Sequence, residues 1–448
     1  MTNKQIILLL LVLTTSLSFQ AQSVTGTLTQ HAGQQIALTG FDYFKTIQLS
    51  KTAIDSLGNF VLNYSKDYNG MGVLNTQDNS SLILVLTEKN IKLQGKHLKQ
   101  PNRLVFKNSI NNKNFMGYTK TQGLHTNALS AWSYLENLYE TPPFLLKAKK
   151  VKKTIQEEQK RIQKEDAAFI NGLSKNSYMR WFIPYRKLIQ DMPMIVKSQP
   201  ERIPEAIEQF RSTHFTHPNF KTSGLFKELL EGHYLLLENM GQPLDSVYRQ
   251  MNKSTQHLID DLQTNEKLIN EVASHLFNLF EKRSLFKASE YLSVSLLNNT
   301  QCSLTDDLVA KLESYRTLKV GAIAPDIALD NHQKVSDLKT NKLIVFGASW
   351  CPACKKEALE LLKYYDAWKI KNVKIIYISI DTDKTAFKTA YKNAPWQIYC
   401  DFKGWDTQAT KDYYIFGTPS YFLVDADNKI LVRPNSVAHA NTWIEYKL

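Results

Sequence analysis

Cysteine is scarce in this chain, with four residues among 448. So few cannot staple a protein of this length, so a disulfide-dense scaffold is excluded and hydrophobic cores must carry the fold. Glycine and proline are sparse as well, at 17 and 14, which rules out collagen-like and low-complexity architectures. Beyond the N-terminus no stretch reaches the roughly 18 apolar residues of a membrane span, so a multi-span membrane protein does not fit. Apolar residues at 43% and charged residues at 22% are ordinary for globular chains, which argues against wholesale disorder. What is in excess is positive charge, formally +13. That surplus raises nucleic acid or an acidic surface as partners. It is spread along the whole chain, however. Its densest cluster, Lys147–Asp166, interleaves Glu157, Glu158, Glu165 and Asp166 with the lysines and reads as a solvated helix face. No aromatic-interleaved basic stripe accompanies it, and no nucleic-acid partner is expected.

Residues 1–22 read as a secretory signal. Lys4 supplies the positive start, Ile6–Leu13 is an apolar run, Thr14–Phe19 extends it weakly, and Ala21 suits cleavage. The run is short of the about 20 residues a membrane span needs. The alternative is an uncleaved N-terminal anchor. No cysteine follows the apolar run before Cys302, so a lipid anchor is not expected. The expectation is a periplasmic protein, soluble and without a membrane span after cleavage, in a compartment where disulfides form.

Three textures follow. Residues 23–107 show short β-rich runs (Val24–Leu28, Gln35–Leu38, Ile47–Leu49, Phe60–Tyr64, Ser81–Thr87, Ile91–Leu93) between turn residues, the pattern of a small all-β sandwich or barrel. Residues 108–318 change to helical spacing, as in Leu225, Phe226, Leu229, Leu230, Tyr234 and Leu237, and predict an all-α middle domain. Prolines at 142–143, 184, 193, 200, 204, 218 and 243 are expected to cut it into several helices. Residues 319–448 alternate strand and helix, predicting an α/β core with a mixed sheet. Strands are expected at Lys342–Ala348, Val373–Ile380, Ser420–Val424 and Lys429–Val432, the last two joined as a hairpin by Asp425-Ala426-Asp427-Asn428. The whole is a multidomain chain.

At the end of the first strand of that core stands Trp350-Cys351-Pro352-Ala353-Cys354. Two cysteines at i and i+3 in the first turn of a helix lie on one face, close enough to bridge. Pro352 suits the first helical position, where no N–H is needed. The helix N-terminus aims free N–H groups and a positive dipole end at Cys351, which favours the thiolate, the nucleophile of disulfide exchange. Two other readings compete. Half a zinc site would need partners from Cys302, Cys400, His332 and His439, which stand alone and far apart in the sequence. A buried structural disulfide is the other. Strand-then-helix placement beside Trp350 favours a redox site without a metal.

These residues resemble a known family. Val320-Gly321-Ala322-Ile323-Ala324-Pro325-Asp326, then Phe346 to Glu357, then Phe416-Gly417-Thr418-Pro419-Ser420-Tyr421-Phe422 are similar to three ordered motifs of the TlpA/ResA-like thiol-disulfide oxidoreductases, which have the thioredoxin fold. The layout of signal, β domain, helical middle and C-terminal domain also resembles multidomain exported proteins of Bacteroidetes-type bacteria. The resemblance implies that Cys351 attacks and Cys354 resolves, with the Cys351–Cys354 disulfide redox-active and no cofactor. It implies a cis peptide before Pro419, and substrate contacts through Trp350, Pro352, Ala353 and Thr418. It also implies that Glu357 modulates proton transfer at the cysteines, since Val345 stands where thioredoxin keeps a buried acid. Ala358 departs from the proline often found after that glutamate, and Cys400 is an additional thiol, read as buried and free, with a third redox thiol or a bond to Cys302 as the alternatives.

The function expected is an exported oxidoreductase that reduces disulfides of other exported proteins, recharged by a membrane thiol electron donor. An isomerase or oxidant role stays open, because Pro352-Ala353 does not fix the potential. A peroxiredoxin does not fit, since the Pro-x-x-x-Thr-x-x-Cys context is missing around Cys351. The alternative from another class is an interaction protein whose residues 23–315 bind a partner, the C-terminal domain being accessory.

Overall fold

The computed structural model describes residues 22–141, 148–283, 285–329 and 333–448. The signal up to Ala21, the prolines at 142–143, Lys147 and His332 lie outside the described residues. The chain divides into two compact units, Met1–Gln242 and Pro243–Leu448. The helical region expected over 108–318 is therefore shared between two units.

The first unit begins with eight strands: β1 Gln22–Leu28, β2 Gln35–Asp42, β3 Lys45–Ala53, β4 Asn59–Tyr64, β5 Gly70–Thr76, β6 Ser81–Leu86, β7 Asn90–Gly95 and β8 Val105–Phe106. They form two four-stranded sheets, ordered β4-β1-β7-β8 and β3-β2-β5-β6. In β4, Phe60, Leu62 and Tyr64 point inward while Asn59, Val61 and Asn63 face water, the period of two that a half-buried strand requires. Val24, Leu62 and Leu93 from one sheet share a core with Ile36, Leu74 and Leu84 from the other, which makes the region a sandwich. Strand β5 lies outside the β-rich runs of the sequence because it opens with Gly70-Met71-Gly72, and glycine is depleted in strands. Its Gly72 allows close packing, since a Cβ there would meet Leu86 Cδ1 at 2.5 Å.

Helices α1 Ile110–Tyr139, α2 Ala148–Gly172, α3 Tyr178–Ser198, α4 Ile203–Arg211, α5 Asn219–Ser223 and α6 Phe226–Glu238 follow. On α2 the basic cluster is a solvated face: Arg161 bridges Glu158 at 2.9 Å and Glu165 at 2.7 Å, while Ile155 and Ile162 turn inward. Pro184 and Pro193 do not cut the chain as expected; both lie inside α3. Each costs about 3 kcal/mol in a helix interior. The same helix buries Met179, Phe182, Ile183, Leu188, Met192 and Ile195, at about 1.5–3 kcal/mol apiece, so burial wins. Pro204 and Pro243, by contrast, stand at helix starts, where proline is tolerated.

The second unit opens with helices α7 Leu244–Leu262, α8 Glu266–Lys282, α9 Phe286–Asn298 and α10 Asp306–Thr317. Then come β9 Asn341–Gly347, α11 Pro352–Ile370, β10 Val373–Ser379, α12 Lys384–Tyr391, β11 Gln397–Tyr399, α13 Gln408–Asp412, β12 Ser420–Val424, β13 Ile430–Val432 and α14 Val437–Lys447. The sheet order is β11-β10-β9-β12-β13. Strand β9 pairs parallel with β10 and antiparallel with β12, and the β12–β13 pair is antiparallel. Strand β11, three residues long, was not anticipated. Successive residues of β9 feed cores on opposite faces of the sheet, Ile344 and Phe346 on one, Leu343 and Val345 on the other. Leu318, directly after α10, is fully buried in the first of these cores, so α10 runs straight into the α/β layer. No described helix is long and apolar enough to cross a membrane.

Candidate active site

The sheet places the dithiol at the C-terminal end of its central strand. Strand β9 ends at Gly347, a residue without room for a side chain: a Cβ there would fall 1.9 Å from the Tyr377 hydroxyl. Four residues later Cys351 caps α11 in an extended conformation, with Pro352 in the first turn. Cys351 and Cys354 are joined as a disulfide, their Cα atoms 5.2 Å apart. The Cys354 backbone N–H donates to Cys351 Sγ at 3.1 Å. That donor, with the other free N–H groups of the helix start, stabilises negative charge on this sulfur. Both cysteines are buried, with Ala348 and Ile380, in a small apolar cluster.

The expected site residues converge here. Thr418 and Pro419 are linked by a cis peptide bond, and the Thr418 carbonyl oxygen lies 3.5 Å from Cys351 Sγ. Trp350 is 54% exposed beside the disulfide, and Pro352 and Ala353 are exposed on the helix start. The Trp350 ring lies 6.4 Å from that of Trp405. Glu357 lies on α11, three residues beyond Cys354. Its Oε2 accepts the Val437 N–H at 2.7 Å and the Tyr421 hydroxyl at 3.0 Å, so this oxygen is engaged by the start of α14. Burial and the Glu357 charge push the Tyr421 phenol well above its ordinary range.

One residue at the site was missed by sequence reasoning. Asp381, 1% exposed, follows β10 and accepts the Ser349 N–H at 3.0 Å, the Ser349 hydroxyl at 2.6 Å and the Ser379 hydroxyl at 2.6 Å. It ties down the loop that leads from β9 to Cys351. The signal available was an acid at the end of an apolar strand, Ile378-Ser379-Ile380-Asp381, where a buried carboxylate demands partners. Cys302 and Cys400 are both free, so the alternative of a bond between them is not realised. Burial raises both thiols above their ordinary pKa.

Away from the dithiol, His31, Asp78 and His97 approach closely enough to suggest a metal centre. Their own bonds argue otherwise. His31 Nε2 accepts the Leu98 N–H at 3.2 Å, His97 Nδ1 accepts the Lys99 N–H at 3.0 Å, and His97 Nε2 lies 3.3 Å from Asp78. A neutral imidazole has one acceptor nitrogen, and in both rings a backbone N–H occupies it.

The C-terminal layer, with its central CxxC helix and the cis-proline strand facing it, is a thioredoxin-like redox domain. Residues 320–433 match the AhpC/TSA family. Thiol-disulfide oxidoreductase ResA of Bacillus subtilis is 25% identical over 159 residues, 34% of this chain and 84% of that protein. Human nucleoredoxin is 29% identical over 104 residues, 22% of this chain and 23% of its own; the chain thus spans about a quarter of that relative's length. A solved thiol-disulfide oxidoreductase from Bacteroides fragilis is 30% identical, with 28% of this chain and 98% of that one covered at a TM-score of 0.25. Over its C-terminal domain the chain is thus similar to the AhpC/TSA family and to TlpA/ResA-like thiol-disulfide oxidoreductases.

Proposed function

We propose that the protein is an exported dithiol reductase acting on disulfides of other exported proteins. The observation that carries this reading is the Cys351–Cys354 pair at a helix N-terminus, with Cys351 Sγ 3.5 Å from the Thr418 carbonyl. In the reduced protein the Cys351 thiolate attacks one sulfur of a substrate disulfide. That S–S bond breaks, the departing sulfur takes a proton, and Cys351 is left in a mixed disulfide. The Cys354 thiol loses its proton and attacks Cys351 Sγ, releasing the second substrate sulfur as a thiol. Two electrons and two protons pass to the substrate, and the internal disulfide is formed. An external dithiol, a membrane thiol donor in the cell, must then reduce it. Backbone exposed beside Pro419 offers an edge along which an extended substrate segment can pair, and the exposed Trp350 ring supplies apolar contact.

The test is turnover of a protein disulfide with dithiothreitol as donor. Cys351→Ser is expected to abolish it, and Cys354→Ser to accumulate a mixed disulfide with the substrate; full activity in Cys351→Ser overturns the reading. A measured potential near roughly −270 mV supports a reductant, whereas one near −120 mV reverses the direction to an oxidant.

A further inference from the structure

Helices α8 and α9 come up against the cis-proline strand. A cleft of ≈ 210 Å³ opens between them, with Glu281 and Phe286 on the helical wall and Pro419, Ser420, Arg433 and Asn435 on the other. The wall is fixed. The Tyr315 ring, buried on α10, stacks on the Arg433 guanidinium at 4.2 Å, and Phe422 lies 5.1 Å from the same group. Arg433 Nη1 donates to the Ser314 carbonyl at 3.4 Å, and the Phe286 ring runs parallel to His439 at 6.2 Å. The helices are thereby bound to the strand that faces the dithiol.

The charges in the cleft are unequal in what they have left to offer. Glu281 Oε1 already accepts the Ser289 hydroxyl at 2.7 Å and the Tyr315 hydroxyl. Arg433 forms no ion pair with a described carboxylate. A guanidinium presents its donors in a planar fork that matches a carboxylate, and here two aromatic rings hold it in place. Lys355 and Lys356, exposed beside Cys354, add positive charge on the same domain.

We propose that this cleft is a subsite for the polypeptide flanking the substrate's reacting cysteine, and that Arg433 gives it a preference for an acidic side chain there. The inference rests on the dithiol-exchange reading above. A cysteine bonded to Cys351 Sγ lies beside Thr418, so its chain neighbours run along Thr418-Pro419-Ser420 into the cleft. The helical region then acts as a specificity wall of the redox site and is not only a spacer.

The experiment measures reduction of disulfide-linked peptides by the full chain, with dithiothreitol as donor. Each peptide pair differs only by Glu or Gln at the second, third or fourth residue on either side of the cysteine. The wild type is expected to reduce the Glu form faster in kcat/KM by about fivefold at one or more positions, through KM and less so at high salt. In Arg433→Gln the ratio should fall to about one, and Arg433→Lys should keep part of it. The ratio is internal to each variant, so a general loss of activity does not hide the result. A wild type with no preference at any position overturns the proposal, as does a preference that survives unchanged in Arg433→Gln. If Arg433→Gln does not fold, a wild-type preference insensitive to salt overturns it equally. Failure of the wild type to reduce either form, or a small aromatic disulfide, is a different outcome: it sinks the redox reading and this one with it.

Discussion

The carboxylate of Glu357 receives the backbone N–H of Val437 at 2.7 Å, so the redox helix α11 holds the first turn of the C-terminal helix α14. With the Tyr421 hydroxyl on the same oxygen, this links α11, β12 and α14. A negative group at a helix N-terminus is stabilising, and an orphan N–H there needs a partner.

Glu357→Gln therefore separates two roles. The amide keeps one acceptor but loses the charge, and a stability loss of about 1–2 kcal/mol is expected in denaturant unfolding. The pH profile of kcat/KM should keep its shape. A displaced limb in that profile would instead support the proton-transfer role that the resemblance implies.

Asp381→Asn is expected to cost more. The buried carboxylate accepts hydrogen bonds from the N–H and hydroxyl of Ser349 and from the Ser379 hydroxyl, and an amide replaces one acceptor oxygen with a donor group. Losing a hydrogen bond to a buried charged group costs about 1.5–3 kcal/mol. Thermal unfolding should shift down, and disulfide turnover should fall because the loop to Cys351 loses its anchor. An unshifted melting curve would show that Asp381 is not holding the loop.

The thiols should react in a definite order. Burial raises Cys302 and Cys400 above the ordinary thiol pKa, whereas Cys351 sits at a helix start with the Cys354 N–H on its sulfur. Iodoacetamide added at neutral pH to the reduced protein should alkylate Cys351 first, by mass spectrometry of the digest. A Cys302→Ser, Cys400→Ser double variant should retain turnover. Earlier labelling at Cys400 than at Cys351 would contradict the order.

His31 makes the β-sandwich unit acid-sensitive. Burial, the main influence, lowers its pKa in the folded state, against the opposing pull of Gln34 and Asp78; its neutral Nε2 accepts the Leu98 N–H. His97 and Lys99 face it as further charges on the same side of the balance. A group whose folded pKa is depressed binds its proton more readily when unfolded, so stability falls as pH drops below the unfolded value, about 6.5. The melting temperature should therefore fall between pH 7 and pH 5. His31→Gln should show a shallower decline over that window, and an identical slope would exclude His31 as the cause.

The sequence by itself determined the local geometry of the dithiol. Two cysteines at i and i+3 behind an apolar strand, with a proline in the first helical position, already specify a bridging pair at a helix N-terminus, because helical geometry alone puts them on one face. Short β-rich runs between turn residues showed most of the sandwich strands for a similarly local reason. That signal failed at β5, which opens with Gly70-Met71-Gly72, and proline failed as a helix breaker in α3, where burial outweighs a local cost. What lies far apart along the chain only the tertiary structure decided. Glu357 accepts the backbone N–H of Val437, 80 residues on. Asp381 reaches back 32 residues to Ser349. The helical stretch that read as one domain is divided near Gln242, and its second part puts Glu281 and Phe286 beside Pro419. Those relations depend on which surfaces pack together, and side-chain packing between distant segments leaves no periodic mark in the sequence.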